Sequence, residues 1–168
     1  MEKTMGSLST IKLVGITTRT NNSQIFEKDP SANKIATTVQ KYFHNGLSGQ
    51  IKHRKNPGTT FCVYTNYDSD LNGDYTYFIG EEVASFEDID KGFEALTIPA
   101  QNYVKFTNNP GPMPTVCIDM WKNIWTMDTS DFGGKRAYIA DFEVYDERSY
   151  DHNNVILDIY IGILKKES

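Results

Sequence analysis

The chain matches itself at a shift of about 82 residues. Phe61-Cys62-Val63-Tyr64 returns as Phe142-Glu143-Val144-Tyr145, and Tyr77-Phe78-Ile79-Gly80 as Ile159-Tyr160-Ile161-Gly162 (142 − 61 = 81; 159 − 77 = 82). Upstream of each pair lies the same helical spacing: Ile35, Val39, Tyr42 and Phe43 in the first half, Cys117, Trp121, Ile124 and Trp125 in the second. Two copies of a βαββ unit restrict the chain to an α+β fold. Its expected form is a pseudo-two-fold pair of duplicated βαββ units, antiparallel sheets with helices on one side and a ligand cleft between the copies. Repeat 1 covers about 10–83, a connector 84–97 and repeat 2 about 98–166, within one domain over 1–168.

A chain of 168 residues can bury a full core without staples. Its two cysteines, Cys62 and Cys117, fall inside predicted elements with no metal or redox spacing, and read as buried thiols in a reducing compartment. The first nine residues contain no signal-peptide core and no apolar run is long enough to span a bilayer, so a cytoplasmic location is expected. Seventeen basic against twenty-two acidic side chains give a net charge of −5, with no basic stripe. Such a surface repels phosphate, which argues against direct nucleic-acid binding and favours a cationic partner. Ten Tyr, nine Phe and two Trp exceed what a core of this size requires, leaving rings for a pocket.

Residues 10–20 read as a strand ended by Asn21-Asn22-Ser23. Asp29-Pro30-Ser31 supplies a capping signal for the first helix, which should stop near Asn45-Gly46. Strands at 59–66 and 74–83 are joined across Asn72-Gly73, a hairpin signal. The second unit predicts a strand at 98–107, a helix at about 114–127 with Pro114 in its first turn, and strands at 136–145 and 155–165.

Side chains alternate in a strand, so Phe142 and Val144 share one face while Glu143 and Tyr145 share the other. Leu157, Ile159, Ile161 and Ile163 form an apolar face for the helices to cover, leaving Asp158 and Tyr160 opposite. Cys62, Tyr64, Thr76 and Phe78 are assigned to that same second face in the first copy. The helix-free face is then expected to be aromatic in both halves and acidic only in the second. A carboxylate among rings suits a lipophilic cation, through cation–π attraction and charge neutralisation. The plainer alternative is that Glu143 and Asp158 simply meet water, and that Trp121 and Trp125 are core.

Other constellations are weak. Asp68-x-Asp70-x-Asn72-Gly73-Asp74 copies half a calcium loop, but its twelfth position is Ile79 and its flanks read as strands, so a hairpin turn is expected instead. His44, His53 and His152 show no metal spacing. Neither a metal nor a cofactor is expected, and the common serine-hydrolase and nucleotide-binding motifs are absent from the sequence.

Met120-Trp121-Lys122-Asn123-Ile124-Trp125, Asp141 to Asp146 and Leu157 to Ile161 together resemble the effector-binding domains of AraC-type and multidrug-sensing regulators, the gyrase-inhibitor-like small-molecule-binding superfamily. Asn56 to Asp70, with Tyr75 to Gly80 behind it, looks like the stand-alone members, including integron-cassette effector-binding proteins. The resemblance spans nearly the whole chain. It implies a cleft glutamate that meets cationic amphipathic compounds, a role carried over to Glu143, with Tyr145 beside it and Trp121 as an aromatic wall. Asp158 matches a position where many relatives place an acidic residue, and Val39 stands where many carry Trp. Some relatives have an attached helix-turn-helix, for which this chain has no room.

The leading expectation is a binding protein that senses or sequesters a small, lipophilic, cationic ligand through Glu143, Tyr145, Trp121, Trp125, Asp158, Tyr160, Tyr64 and Phe78. Two alternatives stay open. One is a hydrolase of reactive electrophiles, with Glu143 activating water and Tyr145 polarising the substrate. The other is an adaptor for gyrase or a transcription partner. No membrane partner is expected, and a homodimer is an open option.

Overall fold

The computed structural model describes residues 1–26 and 33–164. In chain order the elements are β1 (Glu2–Leu8), β2 (Ile11–Thr20), α1 (Lys34–His44), β3 (Thr60–Thr65), β4 (Tyr75–Glu82), β5 (Glu94–Ile98), β6 (Gln101–Thr107), α2 (Thr115–Trp125), α3 (Thr129–Phe132), β7 (Ala140–Tyr145) and β8 (Asp158–Ile163). The amphipathic spacing produces both long helices within a residue or two of the expected bounds. The cap expected from Asp29-Pro30-Ser31 lies outside the described residues. Helix α1 is capped instead by Asn33, whose side chain accepts from the Ala36 N–H.

All eight strands join one antiparallel sheet, ordered β1-β6-β8-β7-β3-β4-β2-β5. Separate sheets were expected; the two halves instead fuse where β3 pairs with β7. The order reads β2-β4-β3 on one side of this join and β6-β8-β7 on the other, with β5 and β1 at the edges. Strand β1 was not expected, because it has no apolar alternation. Six of its seven residues are exposed, and the backbone ladder to β6 holds it. Strand β5 falls at the end of the supposed connector, where Leu96 and Ile98 point inward.

The two-residue links force this sheet to curl. If it were flat, β1 and β2 would lie about 29 Å apart, at six strand spacings. Ser9-Thr10 can bridge no more than about 11 Å. Pro99-Ala100 imposes the same demand between β5 and β6, again six places apart. The face turned inward buries Leu13, Val63, Phe78 and Phe142 without a helix over them. The outward face carries all three helices. There Tyr42 of α1, Met120, Trp121 and Ile124 of α2 and Phe132 of α3 pack on Val14, Ile79, Val104, Ile159 and Ile161.

Side-chain alternation was read correctly within strands, but the relation between strands was not. Cys62 stands opposite Glu143, and Glu143 opposite Ile159. Glu143, Tyr145, Cys62 and Tyr64 therefore lie beneath the helices, with the Ile159 face, and not on the helix-free face. Phe78, Thr76, Asp158 and Tyr160 do occupy that other face. Alternation fixes the sides within one strand, whereas the side shared by two strands depends on register.

Gly15 and Gly80 face each other across β2 and β4. A Cβ on Gly80 would fall 2.1 Å from the Val14 carbonyl oxygen, and one on Gly15 would fall 2.0 Å from that of Ile79. Both neighbours are backbone and cannot move aside cheaply. Gly80→Ala is expected to destabilise the protein by about 1–3 kcal/mol, lowering its urea midpoint at unchanged slope. An unchanged midpoint would refute the close approach.

Burial also sets the ionisation of the core tyrosines. It pushes the hydroxyls of Tyr64, Tyr67, Tyr77 and Tyr145 well above the ordinary phenol value, and that of Tyr103 up to about 12. Because the folded values exceed the unfolded one, their contribution to stability is complete below about pH 10. It is lost as pH rises through the folded values. In an alkaline titration, the phenolate absorbance of these five tyrosines should develop only above pH ~10, together with loss of near-ultraviolet dichroism. Ionisation of every tyrosine in one step with the fold intact would contradict this.

Candidate functional site

Glu143 lies in the middle of the eight-stranded sheet, on β7, with only 3 % of its surface exposed. Its Oε2 accepts hydrogen bonds from the Tyr64 hydroxyl at 2.6 Å and the Trp121 indole Nε1–H at 2.7 Å, while Oε1 accepts from the Tyr145 hydroxyl at 2.5 Å. Three elements supply these donors: β3, α2 and β7 itself. Helix α2 can do so because Trp121 lies on the stripe with Met120 and Ile124 that it turns toward the sheet. Tyr64 and Tyr145 are 81 positions apart, as are the paired residues Cys62 and Glu143 (145 − 64 = 81; 143 − 62 = 81). The two tyrosines approach the carboxylate from β3 and β7, one on each oxygen.

Burial, reinforced by the negative charge of Glu143, raises the Tyr64 hydroxyl. Burial comes first for Tyr145 and Cys117 as well, again with a contribution from Glu143. These groups stay protonated near neutrality, so they remain donors. The Cys117 sulfur lies 3.3 Å from the Tyr145 hydroxyl. Cys62, across the β3–β7 ladder, is fully enclosed and its thiol is pushed up by burial.

Four carboxylates are buried among the described residues: Glu81, Asp141, Glu143 and Asp158. Asp141 meets Arg136 at 2.6 Å, Asp158 meets Arg148 at 2.6 Å and Glu81 meets Arg54 at 3.5 Å. Among the described residues, no lysine or arginine stands within ion-pair distance of Glu143. Charge-assisted hydrogen bonds contribute about 1.5–3 kcal/mol each, which holds the carboxylate in place but leaves its charge uncancelled.

Tyr64 and Trp121 also wall a cavity completed by Tyr67, Tyr75, Trp125, Leu71, Asn22 and Arg136. The rings pack edge to face, with centroids 4.8 Å apart for Tyr64 and Trp121 and 5.4 Å for Tyr64 and Tyr75. The space within amounts to about 20 Å³ of room for solvent centres, enough for about one water. Leu71 reaches its wall from the β3–β4 loop. Asn22 holds that loop by donating to the Leu71 carbonyl at 2.7 Å, while its own carbonyl oxygen accepts from the Tyr75 hydroxyl at 2.8 Å.

Of the eight residues expected to bind ligand, Glu143, Tyr145, Trp121 and Tyr64 form one hydrogen-bonded group, and Trp125 stands at the same cavity. Phe78 is sealed in the inner core. Tyr160 stacks there on Phe142 at 4.7 Å, and Asp158 is held by Thr107 and Arg148. Sequence reasoning missed Tyr67, Tyr75, Asp141 and Arg136. Asp141 follows from Glu143 by alternation, two places along the same strand. The half calcium loop is a turn, in which Asp70 accepts from the Asn72 N–H, and among the described residues no cluster of His, Cys, Asp and Glu is suited to a metal. Among the same residues no helix is long and apolar enough to cross a membrane.

Comparison with known proteins gives this arrangement its context. YobU of Bacillus subtilis (strain 168), which carries the description of a transcriptional regulator, is 26 % identical over 155 residues, covering 92 % of each chain. An integron cassette protein from the mobile metagenome of Vibrio cholerae superposes with a TM-score of 0.74 at 25 % identity, covering 96 % of this chain and 95 % of its own. SAV2435, solved bound to tetraphenylphosphonium, superposes with a TM-score of 0.75 at 18 % identity, covering 98 % of this chain and 94 % of its own, a likeness of fold. The family of Cass2, the integron-associated effector-binding proteins, matches residues 5–163. The expected effector-binding resemblance holds, and the chain belongs to that family.

Proposed function

We propose that this effector-binding protein captures a lipophilic cation, with Glu143 as counter-ion and the rings of Tyr64, Tyr67, Tyr75, Trp121 and Trp125 as its apolar and cation–π surroundings. The observation that carries this reading is the contrast among the buried carboxylates. Three have an arginine, and Glu143 has only neutral donors among the described residues. A charge held in a low-dielectric layer without a counter-ion attracts one strongly. The structural relative solved with tetraphenylphosphonium supports the same ligand class. A duplicated ancestry accounts for the site's symmetry, since Tyr64 and Tyr145 would then be one residue used twice around a unique carboxylate. A hydrolytic role has less support, because the Tyr145 hydroxyl is already committed to Glu143 and is not free to polarise a substrate.

Titration calorimetry with tetraphenylphosphonium and smaller amphipathic cations provides the test. Glu143→Gln is expected to weaken binding by about 10- to 100-fold, the scale of a desolvated charge contact. Equal affinity in the two proteins would sink the carboxylate's role.

Because the closed cavity holds about one water, a cation of this size binds only after Leu71 or Trp125 moves. Asn22→Ala removes the tie to the Leu71 carbonyl together with the acceptor of the Tyr75 hydroxyl, and loss of the first, about 1 kcal/mol, should raise the association rate by about 3- to 10-fold in stopped-flow tryptophan fluorescence. A rate equal to that of the wild type would show that the cavity opens elsewhere.

A further inference from the structure

Arg136, with Leu71 and Trp125, belongs to the walls of both the aromatic cavity and an open groove. The groove, about 380 Å³ in volume, is lined by Leu71, Trp125, Met127, Phe132 and Tyr138 as well as Arg136. Its size lies in the range that accepts the body of a small molecule. The Arg136 side chain is only 7 % exposed. Its guanidinium lies over the Tyr138 ring at 4.4 Å from the centroid and 5.9 Å from that of Phe132.

The donors of this guanidinium are only partly used. Nη2 donates to Asp141 Oδ2 at 2.6 Å, and the same oxygen accepts from the Tyr67 hydroxyl at 2.6 Å. Asp141 Oδ1 is taken by the Gly162 N–H at 2.8 Å. Asp141 Oδ2 thus accepts twice, and Oδ1 is turned to the β8 backbone. The Nε–H of Arg136 is buried with no partner among the described residues. A buried charged donor in this state is costly and selects for an acceptor. Asp128, on the groove wall, is engaged in its own helix cap through Ser130 and Asp131.

From this geometry we infer that the groove is a second subsite, in which Arg136 Nε–H receives a neutral oxygen acceptor, a carbonyl or amide, carried by the ligand whose cationic end faces Glu143. The inference rests on the reading of Glu143 as a cation receptor. Charge balance selects the neutral acceptor. Arg136 and Asp141 already cancel each other, so a ligand carboxylate brought to Nε–H would also approach the Asp141 charge. The full site would thus prefer an amphipathic cation with an amide or ketone at its far end over a plain aromatic cation. Arg136 is then a specificity-determining residue, and the Tyr138 ring is the surface that orients its plane.

Titration calorimetry can separate the two subsites with phenylalkyl trimethylammonium ions of graded chain length, each compared with the same ion bearing a para-carboxamide. The wild type is expected to bind the carboxamide member about tenfold more tightly at the best-fitting length, a difference of about 1.4 kcal/mol. Arg136→Lys, which keeps the charge facing Asp141 but lacks the Nε–H, should lose that gain, so that each carboxamide ion and its plain counterpart bind with equal affinity. Nitrogen-15 spectra of the wild type need no variant: the Arg136 Nε–H resonance should shift with the carboxamide ions and stay in place with the plain ones. No gain at any length, a gain retained in Arg136→Lys, or an unmoved Nε–H resonance would overturn the inference. If no plain ion binds, the cation reading itself falls. The subsite is then judged with neutral alkylbenzamides: a shifted Nε–H resonance sustains it and an unmoved one removes it.

Discussion

The antiparallel pairing of β3 with β7 is the constraint from which the site follows. These strands stand at the centre of the sheet and join its halves, and both their faces are buried. Register between such strands is strictly specified, because a slip of one residue exchanges the faces of every side chain. The register found places Cys62 opposite Glu143 and Thr60 opposite Tyr145. Tyr64 and Tyr145 then converge on one carboxylate from opposite directions. A slip by one would turn Glu143 toward the inner core, where Phe61, Phe142 and Tyr103 offer no comparable set of donors.

Chemical difference between the two central strands is what the proposed binding site rests on. Cys62 occupies the place in β3 that Glu143 occupies in β7, and it is small, neutral and sealed in. Val39 stands where the second half has Trp121, so the first helix brings no indole N–H. A carboxylate on both strands would have set two negative charges face to face, with no arginine in ion-pair distance of Glu143 among the described residues. One carboxylate with protonated phenols on either side keeps a single unit of charge, with directional hydrogen bonds fixing both oxygens. The other buried carboxylates serve different ends: Asp141 locks Arg136 and Tyr67, and Asp158 ties β8 to Thr107 and Arg148.

Much of this architecture was legible in the sequence. Helical spacing located α1 and α2, Asn72-Gly73 marked the β3–β4 turn, and the offset between halves singled out Glu143 against Cys62. What stayed hidden has a common physical origin in lateral contacts. Strand β1 is held by its ladder to β6 and exposes almost all its side chains, so it leaves no hydrophobic pattern. The face shared by Glu143 and Ile159 is set by register across β7 and β8, while each strand by itself gives only alternation. Arg136 and Tyr67 lie outside regular strands and reach Asp141 through tertiary folding. The curl of the sheet was in principle readable from the short links after β1 and β5, once the strand order was known.

The closed state of the cavity bears on how selective such a site can be. A preformed hollow large enough for a lipophilic cation would leave five aromatic rings in contact with water and a buried carboxylate open to any small cation. With Leu71 and Trp125 drawn in, the rings satisfy one another edge to face and the carboxylate keeps its three donors. A ligand binds only by supplying more than it disrupts, so its apparent affinity is reduced by the fraction of molecules that are open. Small hydrated cations gain little from the rings and cannot recover that loss, whereas a large apolar cation recovers it through buried area and charge together. On the proposed reading, the ties at Asn22 would act on selectivity as well as on rate. They would set the threshold a ligand must exceed, while the charge of Glu143, met only by neutral donors among the described residues, and the rings would determine which ligands exceed it.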